Sequence, residues 1–354
     1  MKSDTAVLLI NLGTPASFAP EDVGRYLEEF LTDPEVIDLP WVFREILVRF
    51  LIVPRRKFRS AELYKRIWTP QGSPLAVHMQ DLLKALRASF PDHSFFHAYR
   101  YGPQSLSWAL DQIEDAGFRS VVFFPLYPQY ATSSTRTVFN RLKELRAVER
   151  FERSTWTTSY HDQDFYLDSV ARMIQKKWQP GTHVVFSYHG VPERHITRNH
   201  SDCQDCLRLK SCAHLGAELC YRRQCSETSW ALARRIGLSD DQWSLSFQSR
   251  LGRAKWLEPS TEAHILKLVA DGRTDLTLVT PGFASDCLET LEEIDSELRE
   301  KFLGAGGEKW TRIACLNSEP HWVQNLGAHL IQEIQDLQRE LTTSRSIETG
   351  DSNA

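Results

Sequence analysis

The sequence predicts an α/β protein of doubly wound parallel sheets flanked by helices, arranged as two similar domains. Three observations predict it. Unbroken apolar runs such as Val7-Leu8-Leu9-Ile10, Val121-Val122-Phe123-Phe124 and Val184-Val185-Phe186 lack the polar alternation of a half-exposed strand. Such runs read as strands buried on both faces. They alternate with segments of helical periodicity, the signature of βαβ units. The 354 residues suit two cores of ordinary domain size, and the second half repeats the pattern of the first.

Residues 6–10 begin a buried strand that Gly13-Thr14-Pro15 stops. Tyr26, Leu27, Phe30 and Leu31, at helical spacing, mark the helix that follows. Residues 41–58 mix apolar positions (Phe43, Ile46, Phe50, Leu51) with basic ones (Arg44, Arg49, Arg55, Arg56, Lys57). This stretch is either a surface helix packed on its own core or an apolar lip touching a greasy ligand or a membrane surface. Residues 64–73 are expected as a turn-rich loop, 74–90 as a helix and 94–99 as a strand. A further helix leads to a buried strand from Ser120, which runs into the aromatic, proline-braced loop Pro125-Leu126-Tyr127-Pro128-Gln129-Tyr130. Thr132-Ser133-Ser134-Thr135 is expected to cap the next helix.

A charged seam at 148–155 sets the expected boundary between domains 1–150 and 151–320. In the second half, strands are expected at 154–159, 183–188, 243–248, 275–280 and 312–316, and a helix at 285–302. A C-terminal helix is expected over 321–341. Residues 342–354, polar and free of aromatics, are expected to be disordered.

Composition narrows the function. With 42% hydrophobic and 25% charged residues the chain is an ordinary globule, and a net charge of -4 gives nucleic-acid binding no support. No apolar run reaches membrane-spanning length, and the N-terminus reads as a strand rather than a signal peptide, so a cytoplasmic protein is expected. Neither a G-x-G-x-x-G nor a Walker loop occurs.

Two stretches carry the chemistry. The buried strand ending in Ser187-Tyr188-His189-Gly190-Val191-Pro192 places His189 at the carboxyl edge of a sheet, where open α/β folds bind ligands. In the second, Asp286, Glu289 and Glu293 fall at i, i+3 and i+7, so one face of the expected helix carries three carboxylates. Helix-start capping accounts for Asp286 and Glu289 but less well for Glu293.

These two stretches, with Pro281-Gly282-Phe283 before the carboxylates, resemble the signature motifs of the ferrochelatase family. So do Leu9 through Pro15, Tyr64-Lys65-Arg66-Ile67, Gly72-Ser73-Pro74, Arg100-Tyr101-Gly102, the loop from Pro125 to Tyr130, and Gln248-Ser249-Arg250 through Trp256-Leu257. The resemblance implies two chelatase-like domains with a porphyrin cleft between them, and insertion of ferrous iron into a porphyrin, protoporphyrin IX first. A porphyrin must lose two pyrrole protons as the metal enters, which suits an imidazole. The resemblance implies His189 as that base and Glu289 as the second catalytic position, both in contact with the Fe²⁺ substrate. Asp286 and Glu293 would extend a carboxylate path for protons or iron. By the same resemblance Leu12, Tyr64, Arg100, Tyr101, Tyr127, Tyr130, Trp256 and Phe283 line the porphyrin site, with Ser133 and Arg100 at its propionates or edge. Cys287 stands where some relatives have a histidine.

Five of the seven cysteines lie within 203–225, spaced C-x2-C-x5-C-x7-C over Cys203, Cys206, Cys212 and Cys220, with Cys225 five residues further. In a reducing compartment this reads as metal ligation. Four thiolates suit zinc and a [2Fe-2S] cluster equally. The insertion, 198–225, resembles one that carries a [2Fe-2S] cluster in some bacterial ferrochelatases, which implies the cluster, with zinc second and Cys225 as an alternate ligand. Competing readings are a haem- or iron-sensing protein on the same scaffold without catalysis, and a chelatase for another metal or tetrapyrrole.

Overall fold

The computed structural model describes residues 3–198, 218–250 and 254–350. Within these, eight strands form two four-stranded sheets. The first holds β1 (Thr5–Gly13), β2 (Ser94–Tyr101), β3 (Ser120–Pro125) and β4 (Arg153–Trp156). The second holds β5 (His183–His189), β6 (Trp243–Gln248), β7 (Asp275–Val279) and β8 (Lys309–Arg312). Every pairing is parallel, and the orders β2-β1-β3-β4 and β6-β5-β7-β8 are the same topology twice. In each, successive crossovers turn opposite ways after the first strand, so a switch point lies at the carboxyl ends of β1 and β5.

The helices follow in chain order. α1 (Pro20–Leu31), α2 (Trp41–Ile46) and α3 (Val53–Ile67) surround a π-helical stretch at Leu47–Ile52. Next come α4 (Pro74–Ser89), α5 (Leu106–Asp115), α6 (Thr137–Glu144) and α7 (Ala147–Arg150). α8 (Asp164–Lys177), α9 (Glu193–Thr197), α10 (Tyr221–Arg235) and α11 (Thr261–Ala270) serve the second sheet. A ten-residue π-helix, Glu289–Leu298, runs into α12 (Arg299–Gly304), and α13 (Pro320–Gly350) ends the described chain.

Continuous apolar strands are explained by burial on both faces. In β1, Ala6, Leu8 and Ile10 pack outward with Val121, Phe123 and Leu110, while Val7 and Leu9 face a second core. That second core is shared: Val122 and Phe124 of the first sheet join Val184, Phe186 and Tyr188 of the second, with Trp322 of α13 fully buried among them. The halves therefore repeat in topology while sharing one core, and this fixes the cleft between their carboxyl edges.

Several boundaries differ from expectation. β4 pairs with β3 (Val121↔Ser154, Val122↔Thr155), so the strand expected from 154 in the second half belongs to the first sheet. The charges there belong to a short helix feeding an edge strand, where polar residues are tolerated. Tyr64 belongs to α3 rather than to a loop, and only 68–73 turns. Thr132–Arg136 is a π-helical turn leading into α6, with no side-chain cap. The last strand is Lys309–Arg312. The apolar run after it (Ile313, Cys315, Leu316) is buried outside the ladder, because apolarity reports burial and not strand pairing. α13 continues through part of the tail expected to be disordered, since 342–349 contain neither Gly nor Pro to stop it.

Candidate active site

A cleft of ≈ 1490 Å³ opens between the carboxyl edges of the two sheets and is lined from both domains. From the first half come Leu12 at the end of β1, Tyr64 of α3, Tyr127 and Ser133. The second half supplies His189, Trp256, Phe283, Glu289 and Glu293. The His189 and Glu289 motifs, 100 residues apart in sequence, thus both line the same cleft.

Backbone geometry brings the wall close. Gly13 adopts φ +114°, and a Cβ there would lie 1.8 Å from the Tyr101 carbonyl oxygen, so only glycine lets β1 turn at this point. At the equivalent place after β5, a Cβ on Gly190 would lie 2.9 Å from the Gln248 carbonyl oxygen and 3.0 Å from that of Ser249. Trp256 is brought beside His189 by an antiparallel bridge between Trp256 and Pro192 and by Leu257 N–H donating to the Val191 carbonyl at 3.1 Å.

His189 Nδ1 lies 2.7 Å from the Gly190 carbonyl oxygen. A carbonyl can only accept, so Nδ1 carries a proton, which in the neutral tautomer leaves the lone pair on Nε2. His189 is half-buried and lines the cleft.

The carboxylates are arranged differently from expectation. Asp286 precedes the π-helix and does not share its face. It is 4% exposed, and accepts from Arg312 at 2.7 Å, from Asn317 at 2.8 Å and from Thr290 at 3.0 Å. Burial would raise its carboxyl pKa, but the Arg312 charge and these hydrogen bonds outweigh burial and hold it below the usual range. Asp286 is thus a saturated structural anion. The row facing the cleft is instead Glu289, Glu293 and Glu297, every fourth residue, with Lys301 next. Glu297 was missed, although its four-residue step from Glu293 was visible in the sequence. An α-helical wheel aligned 286, 289 and 293. The wider π turn, which occurs often at functional sites, selects the other set.

Glu293 is held by the Ser249 hydroxyl, which donates to its carboxylate. Burial and the neighbouring Glu289 charge raise its pKa above the usual carboxylate value, and Ser249 and His189 oppose that only in part. Glu292, on the opposite side, is buried and pairs with Arg66 of α3 at 2.7 Å, tying the π-helix to the first domain. The phenols of Tyr26 and Tyr64 lie beside Glu289, and burial first, with nearby charge, keeps both well above their ordinary pKa.

Three expected site residues lie elsewhere. Arg100 and Tyr101 are not on the cleft wall. The Arg100 guanidinium pairs with Asp33 and donates to Thr137 Oγ1 at 2.8 Å, while the fully buried Tyr101 hydroxyl donates to Asp33 at 3.0 Å. Their network braces α1 and α6 behind the site. Tyr130 lines a small adjoining hollow with Thr132, His195 and Cys220.

Among the described residues, no group of three or more His, Cys, Asp or Glu side chains is placed to hold a metal. Of the cysteines singled out, Cys203, Cys206 and Cys212 lie outside the described residues. Cys220 is 3% exposed at the start of α10. Cys225 is fully buried one turn on, where burial raises its thiol pKa and Tyr221 hydrogen-bonds to it.

Two like-wound α/β halves with a cleft between their carboxyl edges, lined by a histidine and a carboxylate row, define a chelatase-type fold. Solved structures agree on the fold. A structure titled SirB from Bacillus subtilis with Fe3+ matches with TM-score 0.53 at 10% identity, over 94% of this chain and 96% of that one. The sirohydrochlorin chelatase SirB of Bacillus subtilis subspecies spizizenii, in complex with cobalt, matches with TM-score 0.50 at 9% identity, over 92% of each chain. Sequence comparison goes further. The Ferrochelatase family model matches residues 4–334. The ferrochelatase of Pseudomonas syringae pv. syringae is 41% identical over 92% of this chain and 96% of its own length. That of Pseudomonas aeruginosa strain UCBPP-PA14 is 42% identical over 92% and 97%. The chain belongs to the ferrochelatase family.

Proposed function

We propose that this enzyme takes protoporphyrin IX as its porphyrin, and that His189 and the Glu289 row divide the work of iron insertion between them. The reaction carried by the family is insertion of ferrous iron into a porphyrin to make haem, with release of two protons. The observation that supports the division of labour is that His189 and Glu289 line the same cleft.

His189 Nε2 accepts a pyrrole proton, since Nδ1 is committed to the Gly190 carbonyl. Glu289 meets the incoming Fe²⁺ and the second proton. Glu293, with its raised proton affinity, is the next acceptor, and Glu297 passes protons on toward Lys301 and solvent. Leu12, Tyr127, Trp256 and Phe283 supply the apolar walls that a flat macrocycle needs, with Ser133 at its edge. Arg100 and Tyr101 act by bracing this wall. Among the described residues, three of the four Arg and Lys side chains lining the cleft are already paired: Arg194 with Asp38, Arg250 with Glu258 and Lys301 with Glu262. That leaves Arg56, which favours a porphyrin with two propionates over one with four. Anaerobic metallation assayed side by side should give a higher kcat/KM for protoporphyrin than for coproporphyrin. A preference for coproporphyrin would overturn this choice of substrate.

Residues 41–58 serve as a peripheral membrane contact in this reading. Trp41 is 68% exposed, Phe43 67% and Phe50 72%, an unusual concentration of bare apolar surface beside Arg49, Arg55 and Lys57. No helix among the described residues is long and apolar enough to cross a membrane. Cys203, Cys206, Cys212 and Cys220 hold a [2Fe-2S] cluster, or zinc in its place. Four thiolates suit either, and Cys225 is the least suited of the five because it is buried within α10. Sulfide and iron analysis of the purified protein separates the two.

A further inference from the structure

The backbone that carries His189 is pinned by a residue the reaction has not used. β5 ends its pairing with β6 at His189↔Gln248. In the next peptide, the Gly190 N–H donates to the Gln248 carbonyl at 2.6 Å, and the His189 carbonyl accepts from the Tyr221 hydroxyl at 2.8 Å. Both polar groups of that peptide are therefore held. The following carbonyl, that of Gly190, is the one that holds His189 Nδ1. Rotation of the pinned peptide would carry the Gly190 carbonyl with it, and with that the orientation and proton placement of the imidazole.

Tyr221 is itself held in place by its surroundings. It is the first residue of α10 and is 8% exposed. It lines both the main cleft and the small hollow behind it, where Cys220, His195 and Thr132 meet. One turn on, Gln224 accepts from the Tyr130 N–H at 2.6 Å, which anchors the start of the helix to the first domain. Cys220, the last cysteine of the C-x2-C-x5-C-x7-C segment, is bonded directly to Tyr221.

We propose that Tyr221 is a positioning residue for His189, its hydroxyl holding the His189–Gly190 peptide and, through the Gly190 carbonyl, the catalytic imidazole. The inference rests on the reading of His189 as the base.

Tyr221→Phe keeps the ring and removes only the donor. In anaerobic iron insertion, kcat should fall roughly ten- to a hundredfold, the range expected for a slightly displaced catalytic group, while KM for porphyrin stays within about twofold. Selective ¹⁵N-histidine NMR should show the His189 ring in the Nδ1–H form in the wild type and shifted toward a mixture of tautomers in Tyr221→Phe. A matching thermal midpoint confirms that the variant is folded. An unchanged kcat and ring signal in Tyr221→Phe overturns the positioning role. Failure of the wild type to metallate porphyrin would instead sink the functional reading itself.

Discussion

The ends of β1 and β5 occupy the same place in two copies of one topology, yet they do different work. β1 runs out through Leu12 and Gly13, an apolar side chain and a glycine at φ +114°, and so provides a smooth wall. β5 runs out through His189, whose ring is oriented by its own backbone, and so provides the proposed base. The buried interiors of the two strands are mostly alike, because a parallel sheet covered on both faces favours apolar residues; the exception, Ser187, is hydrogen-bonded to Gln248 and Thr261. Divergence is confined to the carboxyl edge, where the chain leaves the sheet and side chains are free to vary. Topology thus decides where chemistry can be placed, and a single residue at the switch point decides which half supplies it.

The largest test removes the asymmetry. His189→Ala should lower iron insertion by roughly a thousandfold or more while porphyrin binding, followed by fluorescence quenching, persists. Leu12→His added to that variant should restore nothing, since the first half lacks the carboxylate row facing its switch point. Retained turnover in His189→Ala would erase the distinction between the two strand ends.

Asp286 sharpens the comparison from inside the second half, being an acidic residue of the signature with a structural task. Asp286→Asn should leave the largely buried Arg312 with only the more exposed Asp295 as its anion and destabilise the fold by about 3 kcal/mol, visible as a lowered denaturant midpoint. Glu293→Gln should leave stability nearly unchanged and slow turnover. A stable, slow Asp286→Asn would return that residue to the proton path.

The opposite edge of the second sheet contributes an acid-sensitive contact. His183, at the start of β5, is 6% exposed, accepts from Arg273 at Nδ1 (2.9 Å) and faces Ser244 and His264. Burial first, and then the Arg273 charge, push its pKa down to about 4. A histidine kept neutral in the fold stabilises it above the unfolded pKa of about 6.5, and this stability is lost as pH falls from there toward about 4. The contribution is on the order of 1–3 kcal/mol. Unfolding followed between pH 7 and 4.5 should be less steep in His183→Asn than in the wild type, and identical slopes would dismiss the contact.

The smallest effect on the fold belongs to the lip. Phe43→Ser with Phe50→Ser should change stability by less than about 0.5 kcal/mol, as both rings are exposed. Sedimentation with anionic phospholipid vesicles should drop several-fold, and undiminished sedimentation would separate the lip from any membrane role.

The buried strands, the edge position of His189 and the near-repeat of the two halves were legible because each is a local property of apolar runs and their punctuation. The carboxylate row was half legible. Glu289 and Glu293 were found, but Asp286 was assigned to their face by α-helical spacing and Glu297 was left out. Arg100 and Tyr101 were read as ligand contacts because aromatic and basic residues at a strand end suit a pocket. Asp33, 67 residues away, claims both. Tyr221 gave no signal, since a hydroxyl aimed at a backbone carbonyl leaves no pattern in sequence.

By itself, then, the chain determined the parallel architecture and the two motifs that meet in the cleft, because periodicity and strand burial are written residue by residue. Only the tertiary structure decided the register of the acidic face, the partner of each buried charge and the seam between the halves. Those depend on hydrogen bonds and ion pairs between distant segments, and on a π-helical turn that widens the spacing the sequence alone implies.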